Sequence, residues 1–135
     1  MTGAVFLDSG IFIALVNRRD QWHQQAVVLF GGLKPRWSTS LLVISETYSW
    51  FLHRMGEEAA RSVRLLIANL TGLRVFEATI EHHRDVGRML DRFRGSKLTY
   101  VDASSLCFLE RYRIDRVWST DHHLGLTGAE VLPRS

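Results

Sequence analysis

Hydrophobic and polar positions along the chain follow two periods in alternation. Ala4 to Leu7 is continuously apolar, as a short strand buried on both faces would be, and Asp8 then interrupts the run. Ser9 or Gly10 opens a short helix through Val16. After Asp20, the residues Trp22, Ala26, Leu29, Phe30 and Leu33 keep helical spacing, and Gly31-Gly32 help to end that helix. Arg36 to Ser38 reads as a brief second strand. Ser40 is placed to cap a long helix, LLVISETYSWFLHRM, closed by Gly56, and EEAARSVRLLIANL forms another helix that stops before Gly72. Leu73 to Phe76 is a third strand. The helix from about Thr79 to Phe93 carries Val86, Met89, Leu90 and Phe93 on one face and ends in the polar loop RGSK. Thr99 opens the helix YVDASSLCFLERYR, RVWST is a fourth strand, and EVL is a candidate fifth.

Strands alternating with helices predict an α/β sandwich, with a mostly parallel central sheet of about four to five strands and helices on both faces. Residues 1–135 read as a single domain, with no repeat or linker. Functional sites of such sheets gather outside the carboxyl ends of the strands. Asp8 stands at the end of the first strand and Asp121 just past the end of RVWST, so both acids are expected on one rim.

Composition narrows the setting. One cysteine, Cys107, excludes an intrachain disulfide, and no apolar run approaches the length of a membrane span. A cytosolic protein is expected. Seventeen basic residues against fourteen acidic ones give a net charge of +3, and fifteen of the bases are arginine, whose forked donors match phosphate oxygens. An arginine-favouring genome explains that excess equally well.

Two further acids can join the rim, and each also has an ordinary explanation. Asp102 follows Thr99 in a capping-box order, which would only satisfy helix amides; yet it shares a stripe with Leu106 and Leu109 on a helix apolar nearly all round, and a buried carboxylate needs partners. Glu46 sits on a narrow polar stripe with Ser45, Ser49 and His53, facing either solvent or a cleft.

Taken in order, FLDSG, VISETY, LTYVDASSL and WSTDHHL, with a closing GAEVLP, resemble the PIN domains along essentially the whole chain, in particular the VapC-type ribonuclease toxins of bacterial toxin–antitoxin pairs. The resemblance implies a PIN-like three-layer sandwich. It makes Asp8, Glu46, Asp102 and Asp121 a metal-binding and catalytic acidic cluster, with Ser9, Thr99 and Thr120 as supporting polar groups. It further implies an RNA substrate, a small cognate antitoxin and a homodimer. Some relatives carry a further acid two residues after the fourth, where this chain has His123, which leaves the number of metal ions open.

The chemistry follows from the residues as well. Four carboxylates on one rim repel one another and stay ionised only with cations among them, and oxygen ligands select hard ions such as Mg²⁺ or Mn²⁺. With these four set aside, ten acids face seventeen bases over the rest of the chain, an anionic pit in a cationic surface suited to cutting a polyanion. Arg84, Arg88 and Arg92 on one helix, followed by Arg94 and Lys97, form a candidate RNA-binding ridge; a solvated face with Glu81 and Asp85 as intrahelical partners is the competing explanation. The pairs His82-His83 and His122-His123 argue weakly for zinc, since adjacent helical side chains diverge, although His122 or His123 can line the site beside Asp121. Cys107 and the four tryptophans read as packing residues, and Asp115 belongs to the opposite rim. A metal-dependent endoribonuclease is the leading expectation. A PIN scaffold that binds RNA or protein without turnover is the alternative. A phosphatase is disfavoured because Gly10 stands where a second aspartate is usual.

Overall fold

The structure is a computed structural model in which residues 3–134 are described. Five strands, β1 (Ala4–Leu7), β2 (Arg36–Ser40), β3 (Arg74–Phe76), β4 (Arg116–Trp118) and β5 (Glu130–Leu132), form one parallel sheet in the order β3-β2-β1-β4-β5. Six helices connect them: α1 (Ser9–Val16), α2 (His23–Gly31), α3 (Leu41–Met55), α4 (Glu57–Ala68), α5 (Ile80–Arg92) and α6 (Tyr100–Arg111). A short 3-10 helix, His122–Gly125, follows β4 and was not expected from periodicity.

Register assigns the two faces. Val5 pairs with Trp37 and Leu7 with Trp118, so these side chains share one face, where Phe30 of α2 meets both tryptophan rings at 5.7 and 5.1 Å. Phe6 points the other way. Fully buried, it stacks against Phe76 and against Phe108 of α6, each at 6.4 Å. Helices therefore cover both faces, giving the three-layer sandwich, and β1 is apolar throughout because neither of its faces meets water.

Local chemistry explains the boundaries. Ser40 caps α3 by accepting from the Val43 amide at 3.2 Å. Gly56, at φ 94°, ends α3 and leads directly into α4, a backbone conformation costly for other residues. Strand β2 runs two residues beyond the expected Ser38, through polar side chains that hydrophobic patterning does not register. Ser38 and Thr39 are nevertheless buried, because their hydroxyls donate to the Val5 and Leu7 carbonyls at 3.1 and 2.7 Å. Strand β4 is shorter than expected and stops at Trp118, leaving Ser119 and Thr120 to turn into the rim. Helix α2 starts at His23; the Asp20 carboxylate instead accepts from the Trp22 amide at 2.8 Å and holds the preceding turn.

Candidate active site

The rim at the carboxyl ends of β1 and β4 gathers the four expected acids. Asp8 follows β1 and is 3% exposed; its Oδ2 accepts from the Ser119 hydroxyl at 2.7 Å, while its Oδ1 is buried with no hydrogen-bond partner. Asp102 stands in the first turn of α6, 7% exposed. The Thr99 hydroxyl accepts from its amide at 3.1 Å, so the residue that caps α6 also presents the Asp102 carboxylate. Capping and a site role coexist in one turn. Asp121 caps the 3-10 helix, its Oδ1 accepting from the His123 amide at 3.0 Å and lying 3.0 Å from His123 Nδ1. Glu46, half-buried on α3, accepts a short 2.5 Å bond from the Ser9 hydroxyl at the start of α1.

Electrostatics ties the four together. Burial pushes the Asp8 carboxyl up to about 6; the Ser119 hydroxyl and the Ser9 backbone amide work against this, while Glu46 and Asp121 add to the rise. Asp102 is pushed up to about 7, first by burial, then by the adjacent Asp121 and by Asp8, with Thr99 opposing. One ligand atom from each of Asp102, Asp121 and His123 falls within 4.8 Å of the others. The residues fit a hard divalent cation: the donors are carboxylate oxygens with one imidazole, they repel one another, and a buried Asp8 oxygen lacks the positive partner that an ion supplies.

Two features of this rim escaped the pattern. Ser119 is the fully buried hydroxyl that links the acids, donating to Asp8 and accepting from the Asp121 amide at 2.9 Å. Its signal was the Ser-x-Asp spacing within WSTD. Thr120, the expected supporting group, instead sets its hydroxyl over Gly10, where any Cβ would collide with it. The glycine of FLDSG is thus required by the close approach of the chain after β4 to the start of α1. His123 joins the acids, whereas His122 is exposed and stacks on the His123 ring at 4.6 Å.

The candidate basic ridge on α5 is not a free cationic surface. Arg88 pairs with Asp85 at 2.5 Å, and Arg92 forms a forked pair with Glu110 of α6 at 2.9 and 3.0 Å. Arg84 and Lys97 are exposed without a carboxylate partner among the described residues. His82 and His83 diverge. The first is buried against Phe108 and bonded to Ser104 at 2.6 Å, the second exposed and 2.8 Å from the Tyr100 hydroxyl. Cys107 is buried, and exposed Asp115 lies at the opposite end of β4, its carbonyl accepting from the Glu130 amide.

The PIN domain family model matches residues 5–129. This chain belongs to the PIN domain family. The 23S rRNA-specific endonuclease VapC20 of Mycobacterium tuberculosis is 27% identical over 130 residues, which span 96% of this chain and 98% of the relative. The crystal structure of VapC20, described as a sarcin-ricin loop cleaving toxin, superposes with a TM-score of 0.84 at 26% identity, covering 93% of this chain and 95% of that one. A toxin–antitoxin complex from Klebsiella pneumoniae shares the fold at a TM-score of 0.70 and 14% identity, with 96% of each chain covered.

Proposed function

We propose that this PIN protein is a metal-dependent endoribonuclease, the toxin of a toxin–antitoxin pair. The observation that carries the reading is Asp8: a buried carboxylate with one oxygen unpartnered, surrounded by three further acids at the end of the central strand. Asp8, Asp102 and Asp121 would hold Mg²⁺ or Mn²⁺, with Glu46 and His123 beside them. Such an ion, when bound, polarises a phosphodiester, lowers the pKa of water and neutralises a leaving oxygen.

The protein's own groups have separate tasks. Ser119 orients Asp8 and keeps its carboxyl from rising further, and Thr99 does the same for Asp102. The Ser9 bond aims Glu46 into the pit, where its carboxylate can take a proton from an attacking water. The imidazole of His123, 3.0 Å from Asp121, can partly offset negative charge there when protonated.

RNA as the substrate is supported by the similarity to VapC20, whose name specifies 23S rRNA. A small cognate antitoxin is supported by structural relatives solved as toxin–antitoxin complexes, and a homodimer in the cytoplasm belongs to the same reading. Purified protein incubated with ribosomal RNA should produce discrete fragments with Mg²⁺ or Mn²⁺ and none in chelator, and Asp8→Asn should abolish them. Intact RNA under all these conditions, from folded wild-type protein, would leave a scaffold that binds without turnover.

A further inference from the structure

Helices α1 and α3 pack side by side, joined at the rim by the Ser9–Glu46 bond. On α3, Trp50 and Arg54 follow Glu46 at helical spacings of four and eight, so the three share one stripe. That stripe runs about 12 Å away from the rim at 1.5 Å per residue. There it meets the end of α1, and together they line a groove of about 580 Å³ formed by Asn17, Arg18, Arg19, Trp50, Arg54 and Met55.

Charge and shape identify the occupant. Arg18, Arg19 and Arg54 are exposed and, like most arginines outside the pairs of Arg88, Arg92, Arg94 and Arg134, have no carboxylate partner among the described residues; what sets these three apart is that they share one groove with Trp50. The Arg54 guanidinium instead lies 5.4 Å from the Trp50 ring centre. Cations at the ends of α1 and α3 also answer the helix dipoles. The dipoles do not account for a groove that keeps Met55 49% exposed beside a tryptophan and three arginines. A guanidinium over an aromatic ring is a stacking platform for a base, and unpaired arginines receive phosphates. An acidic protein segment would answer the arginines but leave the flat pair unused.

We propose that this α1/α3 groove binds single-stranded RNA on one side of the cut, with phosphates on Arg18, Arg19 and Arg54 and a base stacked on the Arg54–Trp50 pair. The proposal rests on the ribonuclease reading and names the track by which substrate leaves the acidic pit. It places the RNA contact on residues distinct from the α5 ridge, where Arg88 and Arg92 are already engaged by Asp85 and Glu110.

Binding of a short fluorescent single-stranded RNA, measured by anisotropy in chelator over a salt series, tests the groove without cleavage. Replacing Arg18, Arg19 and Arg54 together by alanine should flatten the plot of log affinity against log salt by about 2, at roughly 0.7 per lost phosphate contact. Trp50→Ala should weaken binding roughly five- to a hundredfold, the value of one base–aromatic stack. Because Trp50 is half-buried, photo-crosslinking of thiouridine-containing RNA to the wild type gives a readout that needs no variant, and crosslinks should fall on the α1/α3 groove. A wild type that cleaves RNA, with a triple variant of unchanged slope or crosslinks confined to Arg84–Lys97, overturns the groove and leaves the ribonuclease intact. A triple variant that handles RNA normally but no longer retains a protein partner assigns the groove to that partner and also overturns the proposal. Failure of the wild type both to bind and to cleave overturns the two readings together.

Discussion

Replacing Asp8 by asparagine should stabilise the metal-free protein, by an amount that grows as the pH rises from about 4 to about 6 and is then complete. Its pKa is raised from an ordinary 3.8 to about 6. Well below pH 3.8 the group is protonated folded and unfolded, and no charge is buried. Between about pH 4 and 6 the folded chain holds a proton that the unfolded chain releases, so stability falls as pH rises. Above that window the loss is complete, and at 1.36 kcal/mol per pH unit it amounts to about 3 kcal/mol. Asparagine keeps an oxygen to accept from Ser119 but sets an amide N–H₂ where Oδ1 already lacks a partner, an offset of about 1 kcal/mol. The net gain of about 2 kcal/mol corresponds to a melting temperature higher by roughly 5–10 °C for a chain of this size. Thermal melts in chelator at pH 7.5 and pH 4.5 check it. The gain should appear at the higher pH and vanish at the lower one. Destabilisation at both values, or an equal gain at both, would refute the claim that a buried, self-repelling charge costs the empty site stability.

Further outcomes follow from the same geometry. Ser119→Ala should cost about 1–3 kcal/mol by stranding Asp8 Oδ2 and the Asp121 amide, and should lower cleavage, whereas Thr120→Ala should stay within about 0.5 kcal/mol; urea unfolding separates the two. Gly10→Ala should destabilise by about 1–3 kcal/mol through its collision with Thr120, and Thr120→Ala in the same chain should recover part of that loss, as a double-mutant cycle would record. Mg²⁺ at about a hundred times its dissociation constant should add about 2.7 kcal/mol to the wild type and much less to Asp8→Asn, read as a shift in melting temperature. Arg92→Ala should cost no more than about 1 kcal/mol, since both members of its pair with Glu110 are exposed, while Phe6→Ala should cost about 3–5 kcal/mol.

Strand β1 was legible because it is buried on both faces and its apolar run has no other use. Polar strand residues were not: Ser38 and Thr39 are buried only because β1 carbonyls accept their hydroxyls, a long-range pairing that periodicity cannot encode. At the rim, Asp8 stood out as a charge interrupting an apolar run, whereas Glu46 on its polar stripe and Asp102 in its capping position were joined to the cluster through the family resemblance. The choice between Ser119 and Thr120 depended on where β4 stops and which side chain then turns inward, a matter of one residue. Surface pairing was harder still. Arg92 and Glu110 lie 18 residues apart on different helices, and the α1/α3 groove joins Arg18 and Arg19 to Trp50 and Arg54 only through packing.

The most direct test of the acidic pit is an anomalous difference map from crystals soaked in Mn²⁺. A peak should lie among the ligand atoms of Asp102, Asp121 and His123, beside Asp8, at Mn²⁺ concentrations that support RNA cleavage, and it should disappear in Asp8→Asn. Cleavage at full rate with no density between these carboxylates, or with the ion bound elsewhere, would contradict the assignment of this rim as the metal-dependent nuclease site.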